Sequence, residues 1–131
     1  MKIYLPTIEH FNGNITVIEG QVDVPFDIKR VYFLHNLATD AVRGCHAHKA
    51  LRQLIFAPSG SVRVKLNDGK NWSEHWLMSP NSALLIEPMT WRELDSFDEG
   101  SVVMVLASER FDENDYIRDF SHFFKSNRNS K

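Results

Sequence analysis

Seven short runs of β-branched and aromatic residues, each closed by turn formers, commit this chain to building sheet. The runs cover 15–19, 28–34, 51–57, 61–66, 72–78, 83–86 and 101–107. Strands favour such residues because branched and aromatic side chains pack on a pleated surface. Pro58-Ser59-Gly60 and Asn67-Asp68-Gly69 flank 61–66, and Ser79-Pro80-Asn81 follows 72–78, the residue types that tight turns require. No helix-length segment separates the strands, so parallel strands joined by crossover helices are excluded. The spacing predicts an all-β fold, an antiparallel sandwich or barrel.

The period changes once, near the C-terminus. Tyr116, Ile117, Phe120, Phe123 and Phe124 recur at helical intervals after the acidic stretch Asp112-Glu113-Asn114-Asp115, which predicts a short C-terminal helix packed by its aromatic side. The polar tail 125–131 is expected to fray. With 131 residues, 43% of them hydrophobic, the chain has material for one core, so 1–131 is expected to form a single domain.

Fifteen Lys and Arg against 17 Asp and Glu leave a formal charge of -2, so no net field draws the chain to nucleic acid or an anionic membrane. An anionic small molecule would need a local basic pocket. Pro6 and the polar residues after it break the early apolar run, which argues against a signal peptide or membrane span and for a cytoplasmic location. Cys45 is the sole cysteine; it excludes an intramolecular disulfide and is expected to be a small buried hydrophobe.

The stretch RGCHAHK (43–49) carries the chemistry. In an extended segment His46 and His48 project together while Cys45 and Ala47 face the other way, so the two imidazoles reach one cavity. Two surface histidines is the plainer alternative; the pairing and the flanking Arg43 and Lys49 favour a functional site. Lys49 is expected to point away from the pair. Trp72 and Trp76 share a strand face and are expected in the core or at a dimer contact. His10, His35, His75 and His122 belong to no constellation.

Glycine followed by HxH is similar to the cupin pattern, in which a Glu and a later His complete a metal site. Here Gln53 stands at the Glu position and Arg92 at the late position, after Pro88 and Trp91. An amide is a poor substitute for a carboxylate and a guanidinium has no lone pair to give. The expectation is therefore acid–base chemistry with no metal and no cofactor, by imidazoles whose ordinary pKa of about 6.5 suits proton transfer near neutrality.

The segments FDIKRVYF (26–33), RGCHAHK (43–49), LRQLIFAPSGSVRVKLNDG (51–69), PMTWREL (88–94) and VVMVLASERFDENDYIRDF (102–120) resemble the sugar 3,4-ketoisomerases acting on dTDP-4-keto-6-deoxyglucose. That resemblance implies a metal-free, cupin-like jelly-roll β-barrel with a short C-terminal helix, a homodimer, and His46 and His48 as the catalytic pair. It implies a dTDP-linked 4-keto-6-deoxyhexose as substrate and a 3-keto product passed to a sugar aminotransferase, in deoxy- and amino-sugar synthesis such as that of lipopolysaccharide O-antigen. Members often have His where this chain has Arg92, and Arg-Gly where it has Asn12-Gly13; within the family, Arg at the former position accompanies gluco products. An epimerase on the same scaffold and a noncatalytic sugar-binding module are the alternatives.

Such a substrate assigns tasks to particular side chains. Arg30, on the same strand face as Tyr32, and Arg43 are candidates for the diphosphate, because guanidinium forks match phosphate oxygens. Tyr32 and Gln53 are further candidates for substrate contact. Arg92 either lines the cavity and meets a developing oxyanion or is a surface residue paired with Glu93 or Asp95.

Overall fold

The computed structural model describes residues 1–129. In chain order the strands are β1 (Lys2–Tyr4), β2 (Thr7–His10), β3 (Gly13–Thr16), β4 (Arg30–Leu34), β5 (Arg43–His48), β6 (Gln53–Ser59), β7 (Val62–Asn67), β8 (Trp72–Leu77), β9 (Ser82–Ile86), β10 (Trp91–Asp95), β11 (Val102–Ala107) and β12 (Tyr116–Ile117). A 3-10 turn, Glu113–Asp115, precedes β12, and the helix α1 (Phe120–Asn129) follows it.

Two five-stranded antiparallel sheets face each other in jelly-roll fashion, one ordered β1-β9-β6-β11-β4 and the other β12-β5-β10-β7-β8, while β2 and β3 form a separate hairpin. The expected all-β architecture is present. Between the sheets, Ile55, Val62, Val64, Leu77, Leu84, Ile86, Leu94, Phe97, Val103 and Val105 make one apolar core. The turn at Pro58-Ser59-Gly60 needs its glycine: Gly60 has φ +72, and an added Cβ would lie 2.2 Å from Ser101 Oγ. Among the described residues, no helix is long and apolar enough to cross a membrane.

The C-terminal element differs from the sequence expectation. Helical spacing predicts that Tyr116 and Ile117 open the helix, but they form β12, paired with His48 and Ala47 of β5. Cross-strand bonding to an otherwise open edge overrides a local period that any short aromatic run can mimic. The helix itself starts at Phe120 and continues to Asn129, through much of the tail expected to fray; residues 130–131 lie outside the described residues. Its aromatic side covers the outer face of the second sheet, where Phe123 joins Ala47, Trp91 and Ile117 in a small buried cluster.

Two further expectations are corrected. Cys45 is exposed, and its φ of 58 breaks the regular strand there. Trp72 and Trp76 are 49% and 43% exposed, which overturns the core alternative for them and leaves the dimer contact, the other place expected. β8 is an edge strand of its sheet, and the Trp72 ring stacks on Phe120 at 5.7 Å.

Candidate active site

The site is built around β5. On one side β10 pairs with it so that Arg92 stands opposite His46; on the other, β12 places Tyr116 opposite His48. This pairing demands a glycine at position 44, where φ is +82 and a Cβ would come within 3.1 Å of the Arg92 carbonyl and 3.2 Å of Leu94 Cδ1. The close approach also turns the Gly44 carbonyl onto His46 Nδ1 at 3.1 Å.

Both imidazoles face inward, as strand alternation requires, with ring centroids 4.9 Å apart in an edge-on arrangement. Their Nδ1 atoms are occupied: His46 by the Gly44 carbonyl, and His48 by Asp115 Oδ2 at 3.0 Å. A carbonyl and a carboxylate only accept, so each Nδ1 carries the proton and each Nε2 keeps a lone pair. Neither Nε2 has a hydrogen-bond partner among the described residues. Tyr116 packs against both rings, 4.3 Å from His48 and 5.0 Å from His46 between centroids.

Arg92 is a buried cation, which decides between its two sequence readings. It makes no ion pair with Glu93 or Asp95; instead it donates to the Thr90 carbonyl at 3.0 Å, the His46 carbonyl at 3.3 Å and Gln53 Oε1. Glu93 and Asp95 pair with residues of the outer face, Lys65 and Arg63. Because Gln53 Oε1 accepts from Arg92, its amide nitrogen points to Tyr32 and donates to that hydroxyl at 3.1 Å. Tyr32, Gly44, His46, Gln53 and Arg92 thereby line a small cavity of about 50 Å³ between the sheets.

Outward from it lies a wider opening of about 260 Å³, lined by Arg30, Tyr32, Arg43, Gly44, His46, Tyr116 and Arg118. Three guanidinium groups and no carboxylate border it. Arg118 is tied to Glu113 at 2.8 Å, and its guanidinium lies 4.1 Å from the Tyr116 ring centre. Arg30 Nε and Nη2 are buried without a hydrogen-bond partner among the described residues. Its guanidinium rests 5.2 Å from the Tyr32 ring centre.

This electrostatic setting holds the histidines neutral. Burial first, and then the Arg92 cation, pushes His46 from 6.5 down to about 4. The same two causes lower His48 further, with help from His46, Arg30 and Arg118; the Asp115 carboxylate, in contact with its Nδ1, works against them. Burial also pulls Arg92 down to about 10, which leaves it charged at neutral pH, and raises the Tyr32 phenol. Among the described residues no three His, Cys, Asp or Glu side chains are grouped to hold a metal ion. The cupin ligand positions hold the Gln53–Arg92 hydrogen bond instead.

Of the seven residues singled out in the sequence, Arg30, Tyr32, Arg43, His46, Gln53 and Arg92 line the two openings, and His48, which lines neither, packs edge-on against His46. Asp115, Tyr116 and Arg118 were not among them. DYIR is legible as a motif (115–118), but helical spacing hides the strand that carries it to β5.

Comparison with known proteins decides the family. A model of the FdtA family, described as WxcM-like, C-terminal, matches residues 2–128. A TDP-4-oxo-6-deoxy-alpha-D-glucose-3,4-oxoisomerase from Aneurinibacillus thermoaerophilus is 42% identical over 113 residues, covering 86% of this chain and 81% of that protein. The chain belongs to the sugar 3,4-ketoisomerase family. Among solved members, the 3,4-ketoisomerase QdtA from Thermoanaerobacterium thermosaccharolyticum, a His-to-Asn mutant in complex with TDP-4-keto-6-deoxyglucose, superposes with a TM-score of 0.96 at 39% identity, over 98% of this chain and 94% of its own. The WlaRB TDP-quinovose 3,4-ketoisomerase from Campylobacter jejuni gives 0.91 at 38% identity, over 95% and 96%.

Proposed function

We propose that the protein converts dTDP-4-keto-6-deoxyglucose into dTDP-3-keto-6-deoxyglucose, moving a proton from C3 to C4 of the sugar through an enediol. The observation that carries this reading is the pair of buried imidazoles, each with Nδ1 occupied and Nε2 open, beside a cavity ringed by arginines. A carbon acid next to a ketone needs a base that is unprotonated at working pH, and burial beside Arg92 supplies one. The base takes the C3 proton, the C3–H electron pair becomes the C3=C4 double bond, and the C4 oxygen takes the negative charge. Arg92 supplies fixed positive charge to that oxygen. The C3 hydroxyl proton passes to the C4 oxygen, and return of a proton from the imidazolium or water to C4, with collapse of the C3 enolate to a ketone, completes the shift.

The nucleotide end is assigned to the wider opening, where Arg30 offers unpaired donors and Arg43 and Arg118 add charge for the diphosphate. Two relatives support the choice of sugar: one is named for the 4-oxo-6-deoxyglucose nucleotide, the other for TDP-quinovose, and quinovose has the gluco configuration. In the gluco substrate the C3 hydrogen lies on the lower face, so a gluco product takes its C4 proton from above. Arg92 holds its protons permanently, which leaves that delivery to the other imidazole or to water. The 3-ketone is then the substrate class of a sugar aminotransferase. A single exposed cysteine and a nucleotide-linked substrate fit a cytoplasmic location.

A homodimer belongs to the same reading. β4 is an edge strand whose Val31 and Phe33 are 53% and 54% exposed, and the β2–β3 hairpin shows Ile8, Phe11 and Ile15 to solvent. A second copy covers such edges and apolar side chains. Light scattering is expected to give twice the chain mass at micromolar concentration, and a monomer mass defeats this part.

The test of the reaction is incubation with dTDP-4-keto-6-deoxyglucose, with the sugar ring followed by NMR. New signals of a 3-keto hexose with the gluco configuration at C4 are expected. An unchanged sugar, or inversion at C3 or C5 with the ketone still at C4, overturns the reading.

A further inference from the structure

Arg30 is held by two aromatic rings where most buried arginines are held by a carboxylate. Its Nε and Nη2 are buried without a hydrogen-bond partner among the described residues, and its guanidinium lies 5.2 Å from the centre of the Tyr32 ring and 5.5 Å from that of Phe111. Strand pairing brings the rings together: Arg30 stands opposite Ala107 at the end of β11, and Phe111, a few residues further on, reaches the same side chain. The glutamates on either side of Phe111 are committed elsewhere, Glu109 to Lys29 at 3.5 Å and Glu113 to Arg118 at 2.8 Å. The Tyr32 ring is fixed through its hydroxyl, which accepts from Gln53 at 3.1 Å. Phe111 is 60% exposed, and its ring meets that of Tyr116 at 5.7 Å between centroids.

We infer that Phe111 is a positioning residue for Arg30: together with Tyr32 it holds the guanidinium as an unpaired cation whose N–H groups are kept for the substrate's diphosphate. The inference rests on the proposed placing of the diphosphate in the wider opening and deepens it. A long side chain left loose on a cavity wall costs entropy when a ligand orders it. A carboxylate would fix it in advance, but it would also occupy the N–H fork and repel a phosphate. An aromatic face attracts a cation through its quadrupole and takes up no donor. The two rings therefore stabilise a charge with buried donors and leave those donors for phosphate oxygens. At its exposure the Phe111 ring adds little to the core, so its loss should be read in binding and not in stability. Phe111 also lines a broad depression of about 920 Å³, which makes direct contact with the nucleoside the rival role. Inorganic pyrophosphate, which has no nucleoside, separates the two.

Phe111→Leu keeps apolar bulk and removes the ring. In calorimetric titrations of the full chain it is expected to weaken pyrophosphate and dTDP by the same factor of about 3–20, the size of one cation–π contact at a partly buried site. Phe111→Tyr keeps the ring and is expected to bind both within about twofold of wild type. In turnover, Phe111→Leu is expected to raise KM for the sugar nucleotide by a similar factor, with kcat within about threefold. A double-mutant cycle gives a readout that lost packing would not move. Added to Arg30→Ala, Phe111→Leu is expected to change dTDP affinity by less than about 1.5-fold, because its effect passes through Arg30.

Pyrophosphate affinity unchanged in Phe111→Leu overturns the positioning role; with dTDP weakened at the same time, it makes Phe111 a contact of the nucleoside. An undiminished effect in the Arg30→Ala background overturns it too, as does a thermal midpoint more than about 5 °C below wild type, which marks the ring as a packing element. If the wild type does not bind pyrophosphate, the arginines are no diphosphate site and the inference falls. If the cycle shows the coupling but the 4-keto sugar is not isomerised, the reaction assignment fails and the positioning role stands.

Discussion

The inward faces of the sheets change character along the length of single strands. On β4 they run Arg30, Tyr32, Leu34; on β6 Gln53, Ile55, Ala57; on β10 Arg92, Leu94. One end of the space between the sheets is a dry apolar core, and the other holds two imidazoles, an amide and a buried guanidinium. The two ends share backbone, register and strand pairing, so the fold does not distinguish them. What does is the cost of burying a polar group, which has to be met by a hydrogen bond at every such atom. Arg92 and Gln53 meet it with each other and with backbone carbonyls. The atoms left unmatched among the described residues include both imidazole Nε2 atoms and the Arg30 Nε and Nη2, the groups that the proposed reaction assigns to the substrate. The apolar end supplies stability, and the polar end spends some of it on readiness.

Substitutions at the two ends should therefore separate rate from stability. The largest expected effect is at the polar end. His48→Asn is expected to lower kcat by about 10²–10⁴-fold, as loss of a proton-transfer group does, with the thermal midpoint close to wild type. A midpoint drop as large as that of a core deletion breaks the comparison. The converse is Leu84→Ala, a fully buried residue of β9, expected to cost about 2–5 kcal/mol in urea unfolding while kcat of the folded fraction stays within a fewfold.

Acid should weaken the polar end in particular. His46 has a folded pKa of about 4 against 6.5 unfolded, so the unfolded chain binds more protons across that interval. Stability is then fully present above about 6.5 and is lost as pH falls towards 4. Urea midpoints measured from pH 7.5 to 4.5 are expected to decline, and His46→Asn is expected to flatten part of that decline; a wild-type midpoint rising on acidification contradicts the assignment. On the outer face, Arg63→Ala removes a bidentate pair with Asp95 at 2.7 Å. It is expected to cost less than about 1 kcal/mol, far below Leu84→Ala. The smallest expected effect is none at all: activity retained after EDTA and dialysis, because Gln53 and Arg92 stand where cupin ligands would be needed. Activity lost on chelation and restored by one divalent ion per chain would refute that.

How much of this was legible in the sequence depends on whether a residue's role is local. Strands such as 61–66 and 101–107 declare themselves because their alternation and turn residues lie within the segment, and β7 and β11 follow within a residue of expectation. His46 and His48 are legible for the same reason, being two apart on one strand. β1 and β2 are too short to show a period, and Pro6 between them reads as a break. Asp115 and Tyr116 escape because their role exists only once β12 pairs with β5, a contact between residues far apart in the chain. Arg92 shows the intermediate case: its position marks it as a replaced ligand, but burial and its backbone partners emerge only from the packing of β10 between β5 and β7.

The pairing of β12 with β5 also sets a timetable for the newborn protein. His48 leaves the ribosome 67 residues ahead of the aspartate that orients it. At about 5–20 residues per second, that interval is roughly 3–13 s. Over those seconds the emerging chain can collect both sheets' central strands, yet His48 lacks its carboxylate. The site's hydrogen-bonding frame is therefore completed late in synthesis, when the last short strand docks.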